Sequence, residues 1–311
     1  MAVTASMVKE LREITGVGML DCKKALAEAD GDMDKAVEIL REKGLAASQN
    51  KAGRIASEGV VEIYLSDDNK TGVVVEVNSE TDFVAKNEKF RTYVASVAKQ
   101  AAQSNAKNMD EFFSEKWAED TQFTVKEQLS QMVAVIGENL SIRRFERFER
   151  EQPGRLVSYI HGGGRIGVLI ELNCEKETDE LDELGKNIAM QIAALNPKFI
   201  ATEDVPEEFK AHEIEILTAQ AKNDPKNASK PDAIIEKMIV GRLAKEMKEF
   251  CLIEQPYVKD SDMSVKQYID SVAKKVGASI KVGRFVRFET GEGLQKKEEN
   301  FADEVAKAMK N

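Results

Sequence analysis

Cysteine, histidine and tryptophan are scarce in this chain, at three, two and one among 311 residues. Cys22, Cys174 and Cys251 lie far apart and are odd in number, so no disulfide framework is indicated and three reduced thiols are expected. With only His161 and His212 beside them, no zinc-ligand spacing exists. No apolar run is long enough to span a bilayer. The N-terminus, Met1-Ala2-Val3-Thr4, meets Lys9, Glu10, Arg12 and Glu13 before any signal-like segment develops, which points to a cytoplasmic protein without membrane attachment. Positive charge is also short. Forty-five Lys and Arg face 55 Asp and Glu, a net charge of −10, which argues against a general phosphate-backbone binder and so against direct nucleic-acid binding.

The 42% hydrophobic and 32% charged residues suit a soluble globular chain, and the length predicts about two domains with room for a third. The first unit, residues 1–55, carries three short helical patterns. Met7, Leu11 and Ile14 recur at helical spacing, Leu20 to Ala29 follow, then Met33, Val37 and Leu40. Gly16 and Gly18 interrupt the first pair, Asp32 can cap the third helix, and Gly44 sits where a left-handed cap would end it. Residues 46–58 then read as a linker. So small a bundle buries little surface and suits docking better than catalysis. Met19 and Leu20 follow a glycine turn, where they either close the bundle's core or form an adaptable contact surface. Lys9 and Arg12 share a helical face that is either simply solvated or a docking pair.

The body of the chain repeats itself. Residues 58–64 and 72–78 read strand, turn, strand, and correspond to residues 154–160 and 167–173. Each pair precedes a helical stretch, with Phe90, Val94, Val97 and Ala101 in the first and Ile188, Ile192 and Leu195 in the second. Residues 136–149 then align without a gap on residues 276–289. The predicted class is α+β, with two units of one plan over residues 56–150 and 151–290, each a small, mostly antiparallel sheet with helices on one face. The second unit carries an insertion at about residues 205–252. There Phe209, His212, Ile216 and Ala219, then Ile235, Ile239, Leu243, Met247 and Phe250, predict two helices joined through Pro225 and Pro231. A projecting antiparallel hairpin follows, with His212 as a packed structural histidine.

No catalytic constellation emerges. Gly162-Gly163-Gly164-Arg165-Ile166-Gly167 lacks the Lys-Ser/Thr of a phosphate loop and joins two strands, so a hairpin turn explains it. No carboxylate pair is set apart by apolar surroundings. Arg143 to Arg150 mixes bases with aromatics, but its gapless match in the second repeat favours a structural strand.

Asn78-Ser79-Glu80-Thr81-Asp82-Phe83-Val84-Ala85-Lys86 leaves the end of a buried strand and precedes a helix that Asn87 can cap. Phe83 is either a core anchor or a displayed side chain. The second repeat keeps Thr178-Asp179 but has Glu180 where the aromatic stood, so Phe83 is dispensable to the shared plan.

Three stretches, in this order, resemble the bacterial translation elongation factor Ts family: residues 15–26 (TGVGMLDCKKAL), 77–86 (VNSETDFVAK) and 159–168 (YIHGGGRIGV). The resemblance implies a three-helix head like a ubiquitin-associated (UBA) domain, a duplicated core, a coiled-coil hairpin and a C-terminal module over residues 291–311, to which a helix over residues 301–310 would belong. It implies a guanine-nucleotide exchange factor, not an enzyme and without a cofactor or resident metal, that binds elongation factor Tu with GDP, displaces Mg²⁺ and GDP, and holds the empty form until GTP binds. Thr81, Asp82, Phe83 and Val84 would intrude beside the partner's magnesium. His161, Lys9, Arg12, Met19 and Leu20 would make further contacts, Leu20 standing where some members have methionine. The alternative is a plain adaptor that binds through its helical head.

Overall fold

The computed structural model describes residues 3–227 and 230–295; the helix expected over residues 301–310 lies outside them. Three helices open the chain: α1 (Ala5–Thr15), α2 (Met19–Glu28) and α3 (Met33–Lys51). The Thr4 hydroxyl accepts from the Met7 amide to start α1, and Gly16, at φ 69°, ends it. Asp32 caps α3 by accepting from the Lys35 amide. Leu11, Cys22, Ala25, Leu26, Ala36 and Leu40 close the core of this head.

The first repeat follows as β1 (Glu58–Leu65), β2 (Thr71–Ser79), α4 (Asp82–Ala85), α5 (Glu88–Gln103), α6 (Met109–Ser114), α7 (Val125–Ile136) and β3 (Leu140–Glu149). The second contains β4 (Gly154–His161), β5 (Ile166–Asn173), α8 (Asp179–Leu195), α9 (Glu207–Asn223), α10 (Asp232–Phe250), β6 (Pro256–Tyr257), β7 (Asp260–Ser264), α11 (Val265–Val276) and β8 (Lys281–Glu289). Antiparallel sheets β1-β2-β3 and β4-β5-β8 have the same order. The repeat reaches further upstream than the strand alignment suggests. Thr124 with Glu127 and Ser264 with Gln267 form matching capping boxes, and Gly137 and Gly277 are matching left-handed caps.

Strand alternation then assigns the faces. Val73, Val75 and Val77 of β2 pack under α5 and α7, while Val168, Ile170 and Leu172 of β5 pack under α8 and α11. The opposite faces meet each other through Val61, Val74, Phe148, Leu156, Leu169 and Phe288. Reciprocal cation–π contacts close this seam: the Arg144 guanidinium lies 4.1 Å from the Phe288 ring centroid, and that of Arg284 lies 4.3 Å from the Phe148 centroid. The same arginines bind Glu76 at 2.6 Å and Glu171 at 2.8 Å. The basic, aromatic strand is thereby committed to the fold.

Three expectations change. Gly44 does not end α3, which runs on to Lys51 and so absorbs part of the expected linker. A Cβ built on buried Gly44 would lie 3.6 Å from Ala134 Cβ, so the glycine marks a close crossing of α3 over α7. On the inserted hairpin, the α9 stripe is Phe209, Leu217 and Ala221, packed toward α10 residues including Ile239 and Leu243. His212 is exposed, because the true phase steps by four from Phe209 and carries Glu213 inward instead. Leu195, at the end of α8, is also exposed, whereas Ile188 and Ile192 are buried.

Candidate functional site

The Thr81–Val84 element begins where β2 leaves the sheet. Thr81 is extended, at φ −130° and ψ 155°, and its hydroxyl caps α4 by accepting from the Val84 amide at 3.4 Å. The Ser79 hydroxyl donates to the Thr81 carbonyl at 3.0 Å. A helix of four residues cannot hold itself. Its anchors are inward-facing Val84 and Ala85, which join the core of the first sheet, and a pair of acidic side chains crossing between two loops. Glu138, just past Gly137, accepts from the Glu80 amide at 3.1 Å and the Thr81 amide at 3.0 Å on one oxygen, and from the Thr81 hydroxyl at 2.7 Å on the other. In return Glu80 accepts from the Asn139 amide at 2.6 Å.

On this platform Phe83 is 79% exposed, which rules out the core-anchor alternative. Asp82 also faces out, and Lys86, one turn on, donates to its carboxylate at 2.6 Å. Both partners of this ion pair are more than half exposed, so the pair contributes at most about 1 kcal/mol and can be exchanged for another partner.

The turn between β4 and β5 comes from the other repeat to lie alongside. Gly162, Gly163 and Gly164 all have positive φ, and a Cβ on Gly164 would meet Val60 Cγ1 at 2.5 Å. That contact is enforced by the Val61 amide, which donates to the Gly164 carbonyl at 2.7 Å. The Arg91 guanidinium donates to the Gly163 carbonyl. Asp82, Lys86, Arg91, Gly163 and Arg165 thus share one cavity of about 370 Å³. His161 closes β4 and is exposed, with its Nδ1 3.0 Å from the Tyr159 hydroxyl.

The head residues form a separate surface. Met19 is 48% and Leu20 64% exposed, so they do not close the bundle; with Val3, Val8 and Lys23 they line a cavity of about 390 Å³. Arg12 is exposed, and Lys9 pairs loosely with Glu13 at 3.8 Å. Glu138 and Arg91 lie outside the motifs, and Lys86 closes one of them with no role assigned to it. For Glu138 a signal existed, because the gapless repeat sets Ala278 against it. Among the described residues no group of three or more His, Cys, Asp or Glu side chains is placed to hold a metal, and no helix is long and apolar enough to cross a membrane.

The fold and this surface define a duplicated α+β protein that presents an aromatic and charged side chains outward from hydrogen-bonded turns. Comparison with known proteins makes the class specific. The family described as Elongation factor TS matches residues 80–292. The chain is 56% identical over 307 residues to Elongation factor Ts of Clostridium novyi (strain NT), and 53% identical over 307 residues to that of Clostridium tetani (strain Massachusetts / E88), with 99% of both chains covered in each comparison. The chain belongs to the elongation factor Ts family.

Proposed function

We propose that this chain is the guanine-nucleotide exchange factor of elongation factor Tu in translation elongation. It binds the GDP form, displaces Mg²⁺ and GDP, and holds the nucleotide-free partner until GTP enters. The observation that carries this reading is Phe83, an aromatic side chain 79% exposed on a clamped turn, at a place where the second repeat has Glu180. Burial of such a ring in a partner supplies binding energy that the free chain does not use.

Exchange requires no covalent chemistry from this chain. A protein that binds the empty partner more tightly than the GDP form must, by linkage, weaken GDP by the same factor. Phe83 is the wedge in this reading. Asp82 releases Lys86 and acts on the electrostatics around the partner's Mg²⁺, the charge that holds phosphates and switch loops in place. Thr81 caps the wedge's helix and Val84 roots it. His161, on the neighbouring turn, extends the contact to the same nucleotide domain. Lys9, Arg12, Met19 and Leu20 dock a UBA-like head, and α9 with α10 is a coiled-coil arm. The assembly works in the cytoplasm, without nucleic acid or membrane.

The test is the release of fluorescent GDP from elongation factor Tu in excess unlabelled nucleotide. Substoichiometric chain should speed release in proportion to its concentration. An adaptor would bind and leave the release rate unchanged, which would refute the exchange reading.

A further inference from the structure

The two repeats differ at two places that meet in space. At the tip after the central strand, the first has Phe83 and the second Glu180; at the turn after the last helix, the first has Glu138 and the second Ala278. The caps differ as well. Thr81 accepts from the amide of Val84, whereas Thr178, its counterpart, makes no side-chain cap to α8. α8 has 17 residues and nine buried positions to hold it, so it needs no clamp. α4 has four residues, and without Glu138 the Glu80 amide, the Thr81 amide and the Thr81 hydroxyl would all lose their acceptor.

We propose that Glu138 is a positioning residue for nucleotide exchange: its carboxylate, three-fold bonded to Glu80 and Thr81, fixes the direction in which α4 projects Phe83. This rests on the exchange function argued above. Glu138 itself is partly covered and reaches α4 from a different segment of the chain, the Gly137-Glu138-Asn139 turn between α7 and β3. The turn is in turn held by Glu80 through the Asn139 amide, and by the Asn139 side-chain amide, which donates to the Arg54 carbonyl at 2.8 Å. The clamp therefore works in both directions, and its stiffness comes from the β2–β3 pairing beneath it. A displayed ring gains most from such support, because an unanchored ring must be ordered on binding.

The experiment has one arm independent of any partner. In full-length Glu138→Ala, backbone hydrogen exchange at Val84, Ala85 and Lys86 should accelerate about 10-fold or more, with the β2 amides unchanged. Unchanged protection at these three positions overturns the clamp. In the second arm, fluorescent-GDP release from elongation factor Tu is followed against chain concentration. Glu138→Ala should lower the saturating rate about 10-fold and move half-saturation by less than about 2-fold, since the head and the His161 turn still dock. Glu138→Gln, whose amide oxygen can still accept from both backbone amides while its NH₂ faces the threonine hydroxyl, should recover most of that rate. Added to Phe83→Ala, Glu138→Ala should slow release no further, because it acts through the ring already removed. A full further 10-fold loss in that background would show an independent role and reject positioning. Should Glu138→Ala fail to fold, Glu138→Met, which keeps most of the side chain's bulk but lacks the two oxygens that accept from Glu80 and Thr81, carries the same comparison alone and in the Phe83→Ala background. A wild-type chain that leaves GDP release unchanged would instead sink the exchange function, while the hydrogen-exchange arm would still judge the clamp.

Discussion

Phe83→Ala separates what the ring does for the fold from what it does for a partner. With 79% of its surface exposed, the ring makes little contact with its own core, so truncation should change stability by no more than about 0.5 kcal/mol. The same exposure sets the scale in a complex. A phenylalanine buries roughly 150–250 Å² when fully covered, and at about 25 cal/mol per Å² the exposed four-fifths can supply up to about 3–5 kcal/mol. Ordering costs at the interface remove part of this, leaving about 2–3 kcal/mol, a factor of roughly 30 to 150. If that energy is realised chiefly in the state that has lost GDP, the saturating release rate should fall by the same factor, while the concentration for half-saturation moves far less. Stopped-flow release of fluorescent GDP, followed up to saturating chain, gives the rate and the half-saturation, and urea unfolding gives the stability change. Unaltered release at saturation would reject the wedge. A stability loss above about 1 kcal/mol would show instead that the ring serves the fold.

The remaining expectations use other parts of the molecule. Leu20→Asp, at a position 64% exposed, should leave the unfolding midpoint unchanged and raise the concentration for half-maximal exchange about 10-fold without lowering the saturating rate. Gly44→Ala should stabilise the chain by about 0.5–1 kcal/mol in urea unfolding, because the new methyl meets Ala134 at an ordinary 3.6 Å and the helix gains a better former. Burial, then repulsion from Glu213 and Glu249, pushes the Glu246 carboxyl above its ordinary value of 4.5, with Arg242 opposing. The folded arm then holds this proton more tightly than the unfolded one, so its contribution is complete below the ordinary value and is lost as pH rises through the raised one. Glu246→Gln should therefore protect the α9 and α10 amides from hydrogen exchange relative to wild type at neutral pH, and the difference should vanish near pH 4, each comparison made at one pH.

Local signals were legible where one segment determined the outcome. The caps at Asp32 and Asn87, the strands of both repeats and the glycine turn at 162–164 all rest on residue types acting within a few positions. The paired capping boxes, Thr124-Val-Lys-Glu127 and Ser264-Val-Lys-Gln267, were equally local and would have extended the repeat by a helix. Gly44 was misread because a glycine at a helix crossing and one at a helix end look alike until the crossing partner, α7, is known. His212 was misread through phase: a stripe stepping by three, four and three fits the letters, but the helix buries Leu217 and Ala221, and a charged Glu213 occupies a place the pattern reserved for an apolar side chain. Glu138 lies 57 residues from the hydroxyl it holds, beyond the reach of any periodicity argument.

Duplication explains why the candidate site and the shared framework can be told apart within one chain. At the seam between the sheets each half supplies what the other lacks. Arg144 covers Phe288 and Arg284 covers Phe148, while the Arg284 guanidinium also donates to the Glu149 carbonyl and that of Arg144 to the Glu289 carbonyl. Changing one arginine there uncovers a ring in the opposite repeat and leaves Glu76 or Glu171 short of a cation, so the cost falls on both halves together. The outer turns carry no such reciprocity. Phe83 with Glu138 stands against Glu180 with Ala278. Residues that answer to both halves keep the fold, and those free of that constraint can differ. An exposed aromatic with a dedicated clamp adds little to the stability of its own fold, and the absence of both from the second repeat fits the one task proposed for them.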